Sequence, residues 1–575
     1  MIPASKFRCA VAALGLVCAG AGAAIRAGAA AGAPPSDPLR ELAADFWSWR
    51  AATRPASGDD IPRLERPAGW APDWSAPAVA RMRETLAGFE TRWRALDLAG
   101  APVERQVDHR LVGSALARVR WELEVAPGWR RNPLFYVDQT LGTLFEILVL
   151  PAERLRERGG DLLARLEAVP ATVTAARANL DDARAPFARL AIASLADVDA
   201  QLDQMARALA PAVAPEVGRR LPGAARAAAA ALGGYRSWLE ERLPAWPEET
   251  AVGRDAYVYF LSRVALLPWG PERLVEMGRQ EWERAVAFEA VEANRRRTAT
   301  PPALPASRAE QVAAMDWEMV AVREFLGRQR IQSVPGWVRF YRLAPMPPWL
   351  EPLAWLGVDN DFTGPGRLDE DGHAWIREPS PQAGYFYRAY AIDPRTQIAH
   401  ESHGHYLQLA LAWAHEDPIR RHYYDSGANE GIAFYNEELM LQAGLFDDRP
   451  QTRTTIYSFA RLRALRVEVD VHLATGELSI DQAAALLRER VPMDAATARE
   501  EAAFFASAPG PAISYQIGKL QILRNLAAAR QAQGERFDLA AFRDFLWKNG
   551  NVPLALQRWE LLGLDDDLVA AGALR

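Results

Sequence analysis

Apolar residues recur at three- and four-residue spacing along most of this chain, a period that lets a helix bury one continuous face. Ile192, Leu195, Val198, Leu202, Met205 and Leu209 form one such stripe, and the same pattern predicts helices over Ala80–Leu96 and Pro271–Ala293. Ala210–Leu232 is Ala-rich and interrupted by Pro211, Pro215 and Pro222, which predicts short helices joined by turns. Ser307 with Glu310 three residues on has the form of a capping box opening a helix to about Gln329. With 575 residues, half of them hydrophobic, the chain can bury a large core. No repeat of 20–50 residues is present.

Between Ile331 and Pro394 the helical period gives way to Pro, Gly and aromatics, with alternation in Trp337–Leu343 and Tyr385–Ala391. That predicts a few strands and long loops, a small sheet edging a cleft. The expected organisation is a signal peptide and linker over residues 1–33, a helical region over 34–330, the β/loop region over 331–395 and a catalytic-like helical region over 396–575. The last three are expected to form one unit.

The N-terminal stretch has a short basic start at Lys6 and Arg8, an apolar run from Cys9 to Ala19 and small residues at Ala21–Ala23. This is the layout of a secretory signal peptide. The run is too short and too rich in Ala and Gly for a membrane span. A lipid-anchored Cys18 is disfavoured, because Val17 stands where a small residue belongs. Removing the segment takes the net charge from −6 to −8 and leaves no cysteine. The reading is an exported protein, periplasmic or extracellular, whose metal chemistry must use nitrogen and oxygen donors. Negative net charge without a long basic run argues against nucleic acid as partner, and no other stretch reaches membrane-spanning length.

Seven of the eight histidines lie between His373 and His472. Within that window QIAHESHGHYLQLALAW (Gln397–Trp413) carries His400, Glu401, His403 and His405, and Glu430 follows at the head of NEGIAFYNEELMLQAG. Zinc hydrolases use three protein ligands, an open position for water and a carboxylate to take the water's proton. A helix bearing His-Glu-x-x-His, followed by a Glu on a second helix, is one way to supply them. Here Gly404 occupies the second His position. On a regular helix His403 lies about 60° from His400, and His405 about 140° away. His405 joins His400 only if the backbone bulges, which Gly404 would permit. Regular geometry therefore pairs His400 with His403.

These residues resemble the bacterial family named domain of unknown function 885, grouped with the gluzincin-like metallopeptidases. Its hallmark is His-Glu-x-x-Pro-Gly-His followed by an aromatic or His, any residue and Gln, then Glu-Gly-Trp-Ala-x-Tyr-x-Glu. The counterparts here are His400-Glu401-Ser402-His403-Gly404-His405-Tyr406-Leu407-Gln408 and Glu430-Gly431-Ile432-Ala433-Phe434-Tyr435-Asn436-Glu437. The likeness extends from about residue 40 to 570. This chain has one residue fewer before Gly404, and His403 stands where the family has Pro. The resemblance implies His400, His405 and Glu430 as zinc ligands and Glu401 as general base. It also implies a mainly α, zincin-like helical body with a deep cleft between the motif helices and a small β element at its rim. The implied reaction is hydrolysis of a peptide, or of another amide or ester substrate. The altered spacing supports a rival, a non-catalytic protein that binds peptide or metal.

Tyr515 in SYQIGK matches the family's Tyr-x-x-Gly and is read either as a donor to a developing oxyanion or as a buried aromatic. Gly518 beside it suits close helix packing. Tyr435 and Glu437 are read as supporting residues, and Asn429 as the cap of the second motif helix. Asp470-Val471-His472 departs from the family's Asp-Val-x-Leu-His, with Ala474 in the family's His place, so His472 is read either as a relocated substrate-facing group or as a helix residue. His373, His415 and His422 read as exposed or loop residues. Arg461, Arg463 and Arg466 read as facing water or acidic neighbours, with a substrate carboxylate as the alternative partner.

Overall fold

Ser307 shows how local chemistry sets the helix ends: its side chain accepts the N–H of Glu310 and opens the helix Arg308–Arg328. The computed structural model describes residues 37–57, 64–300 and 302–574. The segment read as signal peptide and linker, with Cys9 and Cys18, lies outside the described residues. The chain is mainly α with one small sheet. Pro38–Arg575 folds as one unit. Among the described residues, no helix is long and apolar enough to cross a membrane.

Two large apolar clusters organise the body. The first gathers Phe46, Leu111, Leu144, Leu166, Leu202 and Tyr235, and takes in Leu556 and Leu568 from the far end of the chain. The second gathers Met315, Leu343, Ile398, Leu407, Ile432 and Ile522, and so surrounds both motif helices.

Three local expectations are corrected. The stripe from Ile192 to Leu209 spans two helices, Ala185–Ser194 and Val198–Leu209, with its apolar residues still turned inward. Ala210–Leu232 is not a set of short helices; Pro215–Arg242 is one helix with Pro222 inside it. That proline removes one backbone bond, and the buried Leu221, Ala225, Ala228 and Leu232 face compensates. Tyr385–Ala391 is not a strand but most of a helix, Tyr385–Ile392. Phe386 and Tyr390, four residues apart, both pack on Phe459, so the aromatic spacing served a helical face.

The sheet has the order β1 (Tyr341–Pro345), β3 (Gly372–Ile376), β2 (Asn360–Asp361). β1 runs parallel to β3, and β2 antiparallel, with Asn360 opposite Ala374.

One buried charge cluster makes a stability prediction. Arg54, Arg66 and Arg165 all reach the Glu146 carboxylate, at 3.3, 3.1 and 3.0 Å. Burial pushes that carboxyl up, but Arg66, Arg54 and Arg165 outweigh it and hold the group at about 2. A folded pKa below the unfolded one contributes stability above pH 4.5 that is lost as pH falls toward 2. Glu146→Gln is expected to cost on the order of 3 kcal/mol at pH 7. Urea unfolding at pH 7 and pH 3 should show the gap shrinking at the lower pH; an equal gap at both would refute the assignment.

Candidate metal centre

Ile398–Tyr406 is π-helical and runs directly into the α-helix Leu407–Trp413. In a π-helix the backbone bonds span five residues, so the residue five on stands above the first. That brings His405 over His400. Their Nε2 atoms lie 3.2 Å apart, and Glu430 Oε2 lies 3.2 Å from His405 Nε2 and 3.7 Å from His400 Nε2. Among the described residues, His400, His405 and Glu430 are the group whose donor atoms converge as a metal requires.

The donor set can be tested against zinc by geometry. Bonds of about 2.0–2.1 Å in a tetrahedron place donor atoms about 3.3 Å apart, and the three separations here bracket that value. Two imidazoles and one carboxylate also leave the fourth position open, as catalytic zinc sites do. The residues fit the ion.

The ring nitrogens facing away are held too. His400 Nδ1 lies 2.6 Å from Glu437 Oε1, and Arg463 Nη2 lies 3.0 Å from the same oxygen. A proton on Nδ1 leaves the Nε2 lone pair turned inward. Burial, Arg463 and His405 all hold the His400 ring well below its usual pKa, hence neutral, the form that ligates. The Asn429 amide nitrogen lies 2.7 Å from His405 Nδ1 and packs behind that ring. Burial opposes the Glu430 carboxylate, but the His405 ring and the Tyr515 hydroxyl outweigh it, holding the group below its ordinary range.

Glycines set the helix spacing. A Cβ on Gly404 would sit 2.7 Å from Ala433 Cα, and one on Gly431 would sit 2.7 Å from Gly518 Cα. The first motif helix, the second (Ser426–Gln442) and the helix Pro511–Gln533 therefore touch along their backbones. This corrects the expected deep cleft: the motif helices pack directly on each other. Gly404 serves close approach and not a left-handed turn. The second motif helix opens at Asp425, which accepts the Ala428 N–H, so Asn429 is not its cap.

Tyr515 lies parallel to His400, with ring centroids 6.3 Å apart, and its hydroxyl bonds to Glu430. Its helix begins where Asp470 accepts the N–H groups of Gly510 and Ile513. Glu401 shares the site. Burial raises its carboxyl to about 7, with His405 opposing and Glu430 adding to the rise. Asn360 Nδ2 reaches Glu401 Oε2 at 3.5 Å, while its Oδ1 accepts the Tyr341 hydroxyl at 2.8 Å. Phe362 packs edge-on to His405 at 6.0 Å. The sheet region thus supplies residues that no motif or spacing announced. Glu437 did carry a signal, since it follows Glu430 by two helical turns on one face.

The remaining histidines lie elsewhere. The His403 ring is buried on another side of the segment, where burial, Arg323 and Arg543 lower it to about 3. His472 pairs with Glu477 at 3.1 Å near the end of the helix Pro450–Thr475. His373 stacks on Trp375, His422 packs beside Trp47, and His415 accepts the Asp417 N–H. Of the two environments expected for the arginines, acidic neighbours are the one found: Arg461 pairs with Glu289, Arg463 with Glu437 and Arg466 with Glu501, the last two arginines buried away from water.

Two solved structures share the fold. One is a candidate lipoprotein of unknown function from Shewanella oneidensis, 16% identical, with a TM-score of 0.69 over 91% of this chain and 99% of its own. The other is a candidate lipoprotein from Colwellia psychrerythraea, also 16% identical, with a TM-score of 0.73 over 92% and 99%. Comparison with the curated proteins finds no match. A family model described as bacterial protein of unknown function, DUF885, matches residues 63–561. The chain belongs to that family.

Proposed function

We propose that this protein is an exported zinc-dependent hydrolase of peptidase type, with His400, His405 and Glu430 holding the metal and Glu401 acting as general base. The observation that carries the reading is the convergence of two imidazole Nε2 atoms and one carboxylate oxygen at 3.2–3.7 Å, with a partner behind each ring. When bound, zinc supplies Lewis acidity, drawing charge from a carbonyl oxygen and making water acidic near neutral pH. Glu401, poised at about 7, takes the proton of the attacking water and delivers it to the leaving amine. Glu437 accepts at His400 Nδ1 and so holds that ring with Nε2 free, and Asn429 packs behind the His405 ring. Tyr515 steadies Glu430 at rest; to donate to an oxyanion it must give up that bond. The substrate class is a peptide or another amide or ester.

Export is supported by the N-terminal signal layout and by the description of both similar structures as candidate lipoproteins. The periplasm or the cell exterior is the proposed compartment. The burial of all three donor residues favours a second reading, a non-catalytic metal-binding protein.

Metal analysis of the purified protein tests the site. Wild type is expected to hold about one zinc per chain, and Glu430→Ala to lose most of it, because one of three ligands is gone. Sub-stoichiometric zinc unaffected by the substitution would sink the assignment.

A further inference from the structure

The π register at the site leaves a backbone group without its α-helical partner. In an α-helix the Leu407 N–H would bond to His403 O, four residues back. Here it bonds to Ser402 O and Gly404 O and passes over His403 O. A buried carbonyl needs a donor from somewhere. Asn436 Nδ2 supplies it at 2.7 Å and also reaches Ala399 O at 3.3 Å, while Trp547 Nε1 lies 3.4 Å from His403 O.

The amide can take only one orientation. Arg543 Nη2 donates to Asn436 Oδ1 at 2.5 Å, which turns the nitrogen toward the two carbonyls. Arg543 is 0% exposed, its Nε and Nη1 atoms lack a hydrogen-bond partner, and among the described residues it has no ion pair to a carboxylate. Its guanidinium lies over the Trp547 and Tyr435 rings at 4.6 and 5.2 Å. A buried cation without a carboxylate is costly. Aiming Asn436 gives it a use.

We propose that Asn436, oriented by Arg543 and backed by Trp547, holds Ile398–Tyr406 in the π register and thereby places His405 beside His400. The two registers compete for one acceptor. If the segment returned to α, Leu407 would reclaim His403 O, whose two lone pairs already meet Asn436 and Trp547, one of these donors would be displaced, and His405 would swing about 140° from His400. Asn436 touches no donor atom of the site and is a positioning residue. His403 contributes through its carbonyl and not its ring. The consequence for metal binding rests on the reading of His400, His405 and Glu430 as a zinc site.

Asn436→Asp separates this role from simple packing. The variant keeps an acceptor for Arg543, now as an ion pair, but has no N–H to offer the carbonyls. A packing role predicts a variant as tight as wild type. The positioning role predicts that backbone amides in 398–406 exchange with deuterium at least about ten-fold faster in metal-free protein, with the 455–475 helix unchanged. Zinc affinity, read by chelator competition, is expected to fall about 10–100-fold. Trp547→Phe, which removes one donor and keeps an aromatic ring, is the milder variant, with about five-fold faster exchange expected. Wild-type exchange rates in the folded variants overturn the proposal. Faster exchange in a protein whose wild type binds no zinc would uphold the register lock and overturn the metal reading instead.

Discussion

Glu401→Gln is expected to keep zinc at the wild-type level and to slow hydrolysis of a mixed peptide library by about 10²–10⁴-fold. The carboxylate is not among the three converging donors, so an isosteric amide leaves the metal's ligands intact. It cannot accept the proton of the attacking water. Burial raises Glu401 to about 7, which suits a group that must take a proton and release it near neutral pH. Asn360 reaches the same carboxylate and is itself held by Tyr341, so the side chain has a partner besides solvent. Metal analysis and turnover on one preparation decide the matter. Full turnover in Glu401→Gln would remove the residue from the base role, and loss of zinc would make it a ligand.

Gly518→Ala should be among the most damaging small substitutions in the protein. The added Cβ would come within 2.2 Å of Gly427 O and 2.8 Å of Gly431 Cα, both backbone atoms that no rotamer change can move. The helices must separate, at a cost of about 1–3 kcal/mol or more. They carry Tyr515 and Glu430, so separation also pulls the phenol from the carboxylate it holds. The expected result is a lower melting temperature together with at least about ten-fold weaker zinc binding. Wild-type zinc affinity in a destabilised variant would show that the crossing supports the fold and not the site.

Much of the fold was legible because it follows local rules. Helical periodicity located Arg308–Arg328 and Pro271–Arg295 closely, and the Ser307 cap marked the start of the former. Alternation misled at Tyr385, where aromatics four residues apart served one helical face. Prolines misled at Pro222, since the cost of one lost backbone bond is small beside the packing of a 28-residue helix. The arginines of Pro450–Thr475 meet the acidic neighbours expected of them, but their burial was not legible. Arg463 is 2% exposed, and its guanidinium lies within 6 Å of the Phe386, Phe434, Phe459 and Tyr515 rings. An aromatic enclosure and a Glu437 partner cannot be read from one helix's own spacing.

Residue types and their order along the chain were enough to point to His400, Glu401 and Glu430, because a metal-type donor set needs particular atoms and those atoms are written in the sequence. The choice of His405 over His403 came from the family resemblance and not from helix spacing. Regular helix geometry favours His403, and the balance tips only when Asn436, Trp547 and a crossing helix at Ala433 act on the segment from outside. Asn360 and Phe362 arrive from a sheet whose pairing is non-local, and Arg463 from a helix more than fifty residues away. Donor chemistry is a property of side chains and travels with them. Register and proximity are properties of the packed backbone, set by which buried carbonyl finds a donor and which helices touch without side chains between them.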